Sequence, residues 1–314
     1  MMAEPLPQLA GDRLFIGDGG LETSLIFHQG LELPDFAAFT LLADDAGREA
    51  IRAYFEPYLA IARERDVGFV LDTVTWRASP DWAARLGYSP EALDQANRDA
   101  VALAEELAAP LRERGTPVVV NGVLGPRGDG YVAGDKMSAE EAETYHASQV
   151  AAFAGAGADM VTAVTMTYAA EAAGIVRAAT AAGIPVAISF TVETDGRLPD
   201  GQSLAEAVEQ VDAETGVEAA YFMINCAHPT HFEDVLPPGA PWLERIVGIR
   251  ANASTMSHAE LDEAEELDDG DPADLGARYG ALRGRLPAMN LVGGCCGTDH
   301  RHVAEACAAW GQTP

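Results

Sequence analysis

The stretch MNLVGGCCGTDHRH, residues 289–302, places Cys295 beside Cys296 in a chain of 314 residues that holds only four cysteines. A third thiol, Cys226, ends the run AAYFMINC and lies 69 positions before Cys295. Brought together, three thiolates form a soft donor set for a tetrahedral Zn²⁺ and leave a fourth position open, as a catalytic zinc requires. The glycines of GGCCG let the backbone bend sharply enough for adjacent side chains to face one ion. Other readings of the same residues stay open. A disulfide between neighbours demands strained geometry, and the thiols could instead be unrelated and buried. CAHPTH offers a different ligand set in Cys226, His228 and His231, and DHRH adds His300 and His302. Those histidines fall in loops and at helix starts, where surface and capping roles are commoner. The fourth cysteine, Cys307 in HVAEACAAW, fits a buried inert thiol on a last helix.

The elements that must carry these thiols are short β-rich runs separated by helix-patterned segments. The runs are residues 14–20, 68–75, 117–125, 158–166, 185–192, 219–226, 245–253 and 289–296. Continuous apolar runs suit strands buried on both faces, and alternation with helices such as 90–115, 138–156 and 203–215 implies parallel βα units. Eight units in 314 residues most simply close into a (β/α)₈ TIM barrel, read here as one domain over residues 1–314. The competing architecture, an open doubly wound sheet, usually carries G-x-G-x-x-G after its first strand, and GDGGLETS does not match it.

Barrel enzymes work at the C-terminal ends of their strands. Here those ends carry Asp18, Asp72 with Thr73 and Thr75, Asn121, Thr165, Ser189, Asn225 and Asn252, beside Cys226, Cys295 and Cys296. Asp18, Asp72 and Thr165 are the candidates for catalysis and substrate contact, and hydrogen-bonding a strand-end loop is the plainer role for either acid. Asn225 more simply orders the loop of Cys226, and Arg127 and Asp129 in GPRGDG offer a substrate contact or, more simply, belong to an exposed loop. The formal charge of −29, from 49 acidic and 20 basic residues, would repel a phosphate backbone, so small molecules rather than nucleic acid are the expected partners. No run approaches the ~18 apolar residues of a spanning helix, and MMAEPLPQLAGDR lacks the build of a signal peptide. The expectation is a cytoplasmic protein away from membranes. The acidic segment 259–274 reads as a solvated helix and loop, or as a lid over the barrel mouth.

Taken in order, GDGGLETSL, TVTWRAS, NGVLGPRGDGY, SFTVETDGRLPDGQSL, INCAHP, ANAS and GGCCGT span nearly the whole chain. In that order they resemble the homocysteine S-methyltransferase family. The resemblance implies a zinc-bearing barrel that moves a methyl group onto a thiol, with Cys226, Cys295 and Cys296 matching the family's zinc ligands. It implies a small-molecule thiol acceptor, homocysteine or a related thiol or selenol. The implied donor is S-methylmethionine, S-adenosylmethionine or a quaternary ammonium compound such as betaine. A methylated cobalamin is the further implied donor, and the expectation is against it because 314 residues leave no room for cobalamin and folate modules.

Two positions depart from the family pattern. Aligning GADMVTAVTMTYAAEA puts Val164 where the family carries the glutamate that binds the amino group of homocysteine, with Thr165 retained. Val74 likewise replaces a polar residue between Thr73 and Thr75. Either another acid, with Asp18, Glu22 and Asp72 as candidates, takes the amino group, or the acceptor lacks one. A zinc hydrolase on the same barrel and a non-catalytic zinc- or thiol-binding protein are the alternatives to methyl transfer.

Overall fold

A computed structural model describes residues 5–264 and 266–311. Eight parallel strands close into a barrel in sequence order. They are β1 (Phe15–Ile16), β2 (Gly68–Asp72), β3 (Val118–Leu124), β4 (Met160–Met166), β5 (Val186–Phe190), β6 (Tyr221–Asn225), β7 (Ile246–Ala251) and β8 (Leu291–Gly294). Closure comes from β1, which pairs with both β2 and β8. The expected (β/α)₈ TIM barrel is therefore the fold. Nearly every strand residue is buried, as the unbroken apolar runs require when one face meets the barrel interior and the other the helices.

Long helices follow the strands: Asp45–Arg65, Pro90–Glu113, Ala139–Ala156, Ala169–Ala182, Leu204–Thr215, Pro272–Arg283 and His300–Trp310. Their limits are written locally. Ser138 and Ser203 close capping boxes with Glu141 and Glu206, and Gly157 ends its helix at φ 90°, a conformation in which a β-carbon would be strained. No helix among the described residues is long and apolar enough to cross a membrane.

The alternation of side chains sorts the apolar residues into two cores. Phe15, Val70, Val119, Met160, Tyr221, Met223, Val247 and Leu291 fill the lower barrel, while a larger cluster joins the outer strand faces to the helices. Gln8 plugs the base, donating to the Tyr221 hydroxyl at 3.2 Å. Above the apolar layer the inward positions turn polar, and the strands end sooner than their sequence runs suggest. The ladder of the 14–20 run stops at Ile16 and that of the 68–75 run at Asp72. The remaining polar residues bend into the mouth. Gly19 and Gly20 permit that bend at the first strand, since a β-carbon on them would lie 2.6 Å from the Tyr58 hydroxyl and 2.6 Å from the Cys295 carbonyl.

Gly68 meets the interior ring of Phe15 so closely that an added β-carbon would sit 2.3 Å from it. Gly68→Ala should destabilise the protein by roughly 1–3 kcal/mol, as overpacking does. Combined with Phe15→Leu it should cost less than the sum of the two single changes, as read from a denaturant double-mutant cycle; strict additivity would contradict the packing described.

Candidate metal centre at the barrel mouth

Cys226 follows β6 directly and takes φ 55°, an unusual backbone for a non-glycine residue. The chain holds it there by its own backbone. The Cys226 amide donates to the Arg250 carbonyl at 3.0 Å, and its carbonyl accepts from His258 Nε2 at 2.8 Å. Thr165, at the end of β4, has φ 61° and is gripped by Asn225. The Thr165 amide donates to Asn225 Oδ1 and Asn225 Nδ2 donates to the Thr165 hydroxyl, each at 2.9 Å. Strained residues of this kind persist only where neighbours over-determine them.

The Cys295–Cys296 pair sits in a tight turn. Thr298 donates back to the Cys295 carbonyl at 3.1 Å, and Gly297 supplies the positive φ of 78° that such a turn needs. The Cys295 amide donates to Ala251 at 2.8 Å and the Cys296 carbonyl accepts from Ala253 at 3.1 Å, so the turn is tied to the end of β7. The result is convergence: the sulfurs of Cys226, Cys295 and Cys296 lie within 4.8 Å of one another, and Cys226 and Cys296 are 3.7 Å apart. Tetrahedral geometry with Zn–S bonds of about 2.3 Å separates sulfurs by about 3.8 Å, so the donor set fits a zinc ion. All four cysteines are free thiols. Cys307 is buried in the last helix, as expected, and burial pushes its thiol up.

The histidines go elsewhere. His228 caps the helix Pro229–Phe232, His231 bonds to the Thr255 carbonyl, and His302 bonds to Asp299 and to the Asp269 carbonyl. His300 begins the last helix. Among the described residues none of them joins the sulfur group.

Tyr131, in the loop after β3, closes over the sulfurs. Its hydroxyl is 3.6 Å from both Cys226 and Cys296, and its ring stacks on His258 with centroids 4.2 Å apart. Of the three thiols, Cys296 is the one its neighbours hold low. Hydrogen bonds from Cys226 and Cys295 hold its thiol well below the ordinary range against the cost of burial, with help from Tyr131. Donating those bonds pushes Cys226 up, with burial adding to the rise.

Beneath the sulfurs lies a polar layer centred on Arg250 of β7. Its guanidinium pairs with both Asp18 and Asp72. Tyr54 donates to Asp18 at 2.9 Å, Asn121 to Asp72 at 2.7 Å, and Thr162 to Asn121 at 2.9 Å. Ser189 donates to Asn225 at 2.6 Å. Burial lifts the Asp18 carboxyl to about 6 against the pull of Arg250, and the nearby Asp72 charge adds to the rise. Asp18, Asp72 and Thr165 therefore do gather at one cavity, yet both acids are engaged by an arginine that the strand-end survey passed over. The signal was a charged residue inside the otherwise apolar stretch IVGIRA, residues 246–251.

The cavity above this layer has a volume of about 550 Å³. The three cysteines, Glu22, Trp76, Arg77, Trp82, Tyr131 and Val164 line it, as do Phe27 and Phe36. Within the acidic segment, Leu261, Asp262, Glu266, Leu267 and Asp268 face the cavity, so this stretch borders the mouth and is more than a solvated flank. Asp129 also lines the cavity, whereas Arg127 pairs with Asp81 on the exposed loop at 2.7 Å.

A family model described as homocysteine S-methyltransferase matches residues 15–310. No curated protein matches significantly. Among solved structures, the metallated form of the Escherichia coli homocysteine methyltransferase MmuM is 22% identical, with a TM-score of 0.71 and coverage of 95% of this chain and 96% of that one. Its oxidised form is likewise 22% identical, with a TM-score of 0.72 over 96% and 98%. At these identities the likeness is one of fold.

Replacing Arg250 with methionine leaves two buried carboxylates without their cation and should cost about 3–5 kcal/mol at pH 8. The penalty should shrink at pH 5. Asp18, already raised to about 6 in the folded state, is protonated more readily there than in the unfolded chain, so falling pH removes the unpaired charge. Urea melts of both proteins at the two pH values measure this; an equal loss at pH 5 and 8 would contradict it.

Proposed function

Because this chain belongs to the homocysteine S-methyltransferase family, and is thus a methyltransferase, we propose that it moves a methyl group from a sulfonium donor to homocysteine in a zinc-dependent displacement. The observation that carries the reading is the sulfur triangle of Cys226, Cys295 and Cys296, with an edge of 3.7 Å and a cavity directly above it. The metallated form of the MmuM enzyme agrees with a metal requirement. Bound by these three thiolates, zinc would act as a Lewis acid that keeps an acceptor thiol ionised at neutral pH.

The size of that effect limits what it can explain. A thiol with pKa near ~8.5 is a few per cent ionised at pH 7, so complete ionisation raises the nucleophile roughly 30-fold, or about 2 kcal/mol. Alignment of sulfur, methyl and leaving group can supply roughly 7–11 kcal/mol, and the barrel is built for it. The Arg250 carbonyl and His258 hold Cys226 in its strained turn, and Asn225 fixes Thr165. The Gly297 turn aims Cys295 and Cys296, and the Arg250 side chain keeps the floor of the cavity fixed. Tyr131 stands over the sulfurs on the open side, where an acceptor must enter.

The methyl-bearing group is cationic in each sulfonium or quaternary ammonium donor, and the mouth is acidic. Three thiolates around a divalent ion leave a net negative centre, and Asp35, Asp129, Asp262, Glu266 and Asp268 line the approach. The field favours a sulfonium over a neutral donor and disfavours anions. S-Methylmethionine and S-adenosylmethionine carry a net positive charge and satisfy this condition, whereas the carboxylate of betaine cancels its ammonium charge. The sulfonium compounds also have the better leaving group for direct displacement without a covalent protein intermediate.

Zinc-loaded protein given homocysteine should form methionine from S-methylmethionine or S-adenosylmethionine, with betaine as the comparison donor. Chelator-treated protein should form none until zinc is restored, and Cys226→Ser should lose both metal and activity. Product detection by mass spectrometry decides the matter; full activity in metal-free protein would contradict the reading.

A further inference from the structure

The methyl-transfer reading leaves open how the cavity grips the polar end of an acceptor. Val164 presents only apolar surface there, and Asp18 and Asp72 are engaged by Arg250. Asp129 is bonded to the Tyr131 amide at 2.7 Å and Asp268 to Ser254 at 2.6 Å. Of the other acids lining the cavity, Asp35, Asp262 and Glu266 are exposed to solvent, so two charges of opposite sign remain that are withdrawn from solvent. Glu22 follows the first strand and Arg77 follows the second; both line the cavity, and among the described residues neither lies within 4.0 Å of an oppositely charged group.

Arg77 is held in place. Its guanidinium carbon sits 4.0 Å from the centroid of Trp76 and 3.8 Å from that of Trp82, a stacked arrangement that fixes the plane of the group. One N–H donates to the Gly128 carbonyl at 3.0 Å, while Nε is buried without any partner. Glu22 is half-buried and makes no hydrogen bond to another described side chain. Burial pushes its carboxyl up to about 7, against a hydrogen bond to its own backbone and the opposing charge of Arg77. The two groups are thus close enough to sense each other without pairing. Leaving a cation and an anion unpaired in one partly dry cavity is costly unless a ligand completes both.

A ligand that completes both carries an ammonium and a carboxylate on a short frame, with its sulfur directed at the thiols below. We propose that Glu22 and Arg77 are the specificity-determining pair for the acceptor, Glu22 taking its ammonium group and Arg77 its carboxylate. The acceptor is then an α-amino acid thiol, and Glu22 supplies the negative charge that position 164 lacks. The planar guanidinium suits two parallel hydrogen bonds to a carboxylate. This assignment rests on the methyl-transfer reading and deepens it.

The test is calorimetric titration of zinc-loaded protein with three thiols. Homocysteine carries both charges, 4-mercaptobutyrate lacks the amino group, and 3-aminopropane-1-thiol lacks the carboxylate. Each truncation should weaken binding roughly 10- to 100-fold in the unaltered protein. Glu22→Gln should bring homocysteine down to the level of 4-mercaptobutyrate while leaving the latter within about twofold, which also reports an intact fold. Arg77→Gln should do the same relative to 3-aminopropane-1-thiol. Equal affinity of the unaltered protein for all three thiols would overturn the pair, as would selectivity that survives both substitutions, and either result would leave methyl transfer standing. If none of the three thiols bound, the methyl-transfer reading itself would fall and the pair with it.

Discussion

Three sulfurs that repel one another once ionised are held within 4.8 Å, and the upper half of the barrel is arranged around that constraint. Two come from one turn and the third from the end of a strand two places away, so their meeting depends on barrel closure and on the strand register. Asn225 pairs in register with Arg250, and Arg250 with Gly293, so the ends of β6, β7 and β8 arrive at one height. The positive φ values at Cys226 and Thr165 are local costs of that convergence, met by hydrogen bonds from Asn225, His258 and the end of β7.

A second layer of charge supports the first. Arg250 lies in the layer below the thiols and pairs with both Asp18 and Asp72, offsetting one of the two buried negative charges they would otherwise add beneath the sulfur group. With the floor's charge reduced in this way, much of the negative potential sits at the sulfurs and along the outer mouth. On the proposed reading a cationic donor is drawn to that region, while the acceptor meets Glu22 and Arg77, neither of them ion-paired among the described residues. The division is physical: acids deep in the barrel are structural partners, and acids near the opening are free to act at a distance.

Much of this was legible in the residues. Eight apolar runs separated by helix patterns gave the barrel, because parallel strands buried on both faces leave an unmistakable composition. The rarity of cysteine, together with GGCCG, singled out the three thiols without knowledge of their distance. Arg250 was harder to read, since an arginine within a strand becomes meaningful only when barrel closure brings β1 and β2 around to face β7. Tyr131 lies in an irregular loop 95 positions before Cys226, and no periodicity links them. The strand ends were overextended for a related reason: GDGG and DTVT are β-compatible locally, but glycine contacts and polar partners at the mouth draw them out of the ladder. Val164 was visible as a missing charge, whereas Arg77 between two tryptophans emerged only from the folded chain.

The most direct measurement on the central claim is zinc-edge X-ray absorption on metal-loaded protein, with and without homocysteine. A site made by Cys226, Cys295 and Cys296 should contain three sulfurs and one lighter neighbour at rest, and four sulfurs once homocysteine is bound. A sulfur count that stays at three under saturating homocysteine would contradict thiol activation at this centre, and the absence of a sulfur-rich site would contradict the metal assignment itself.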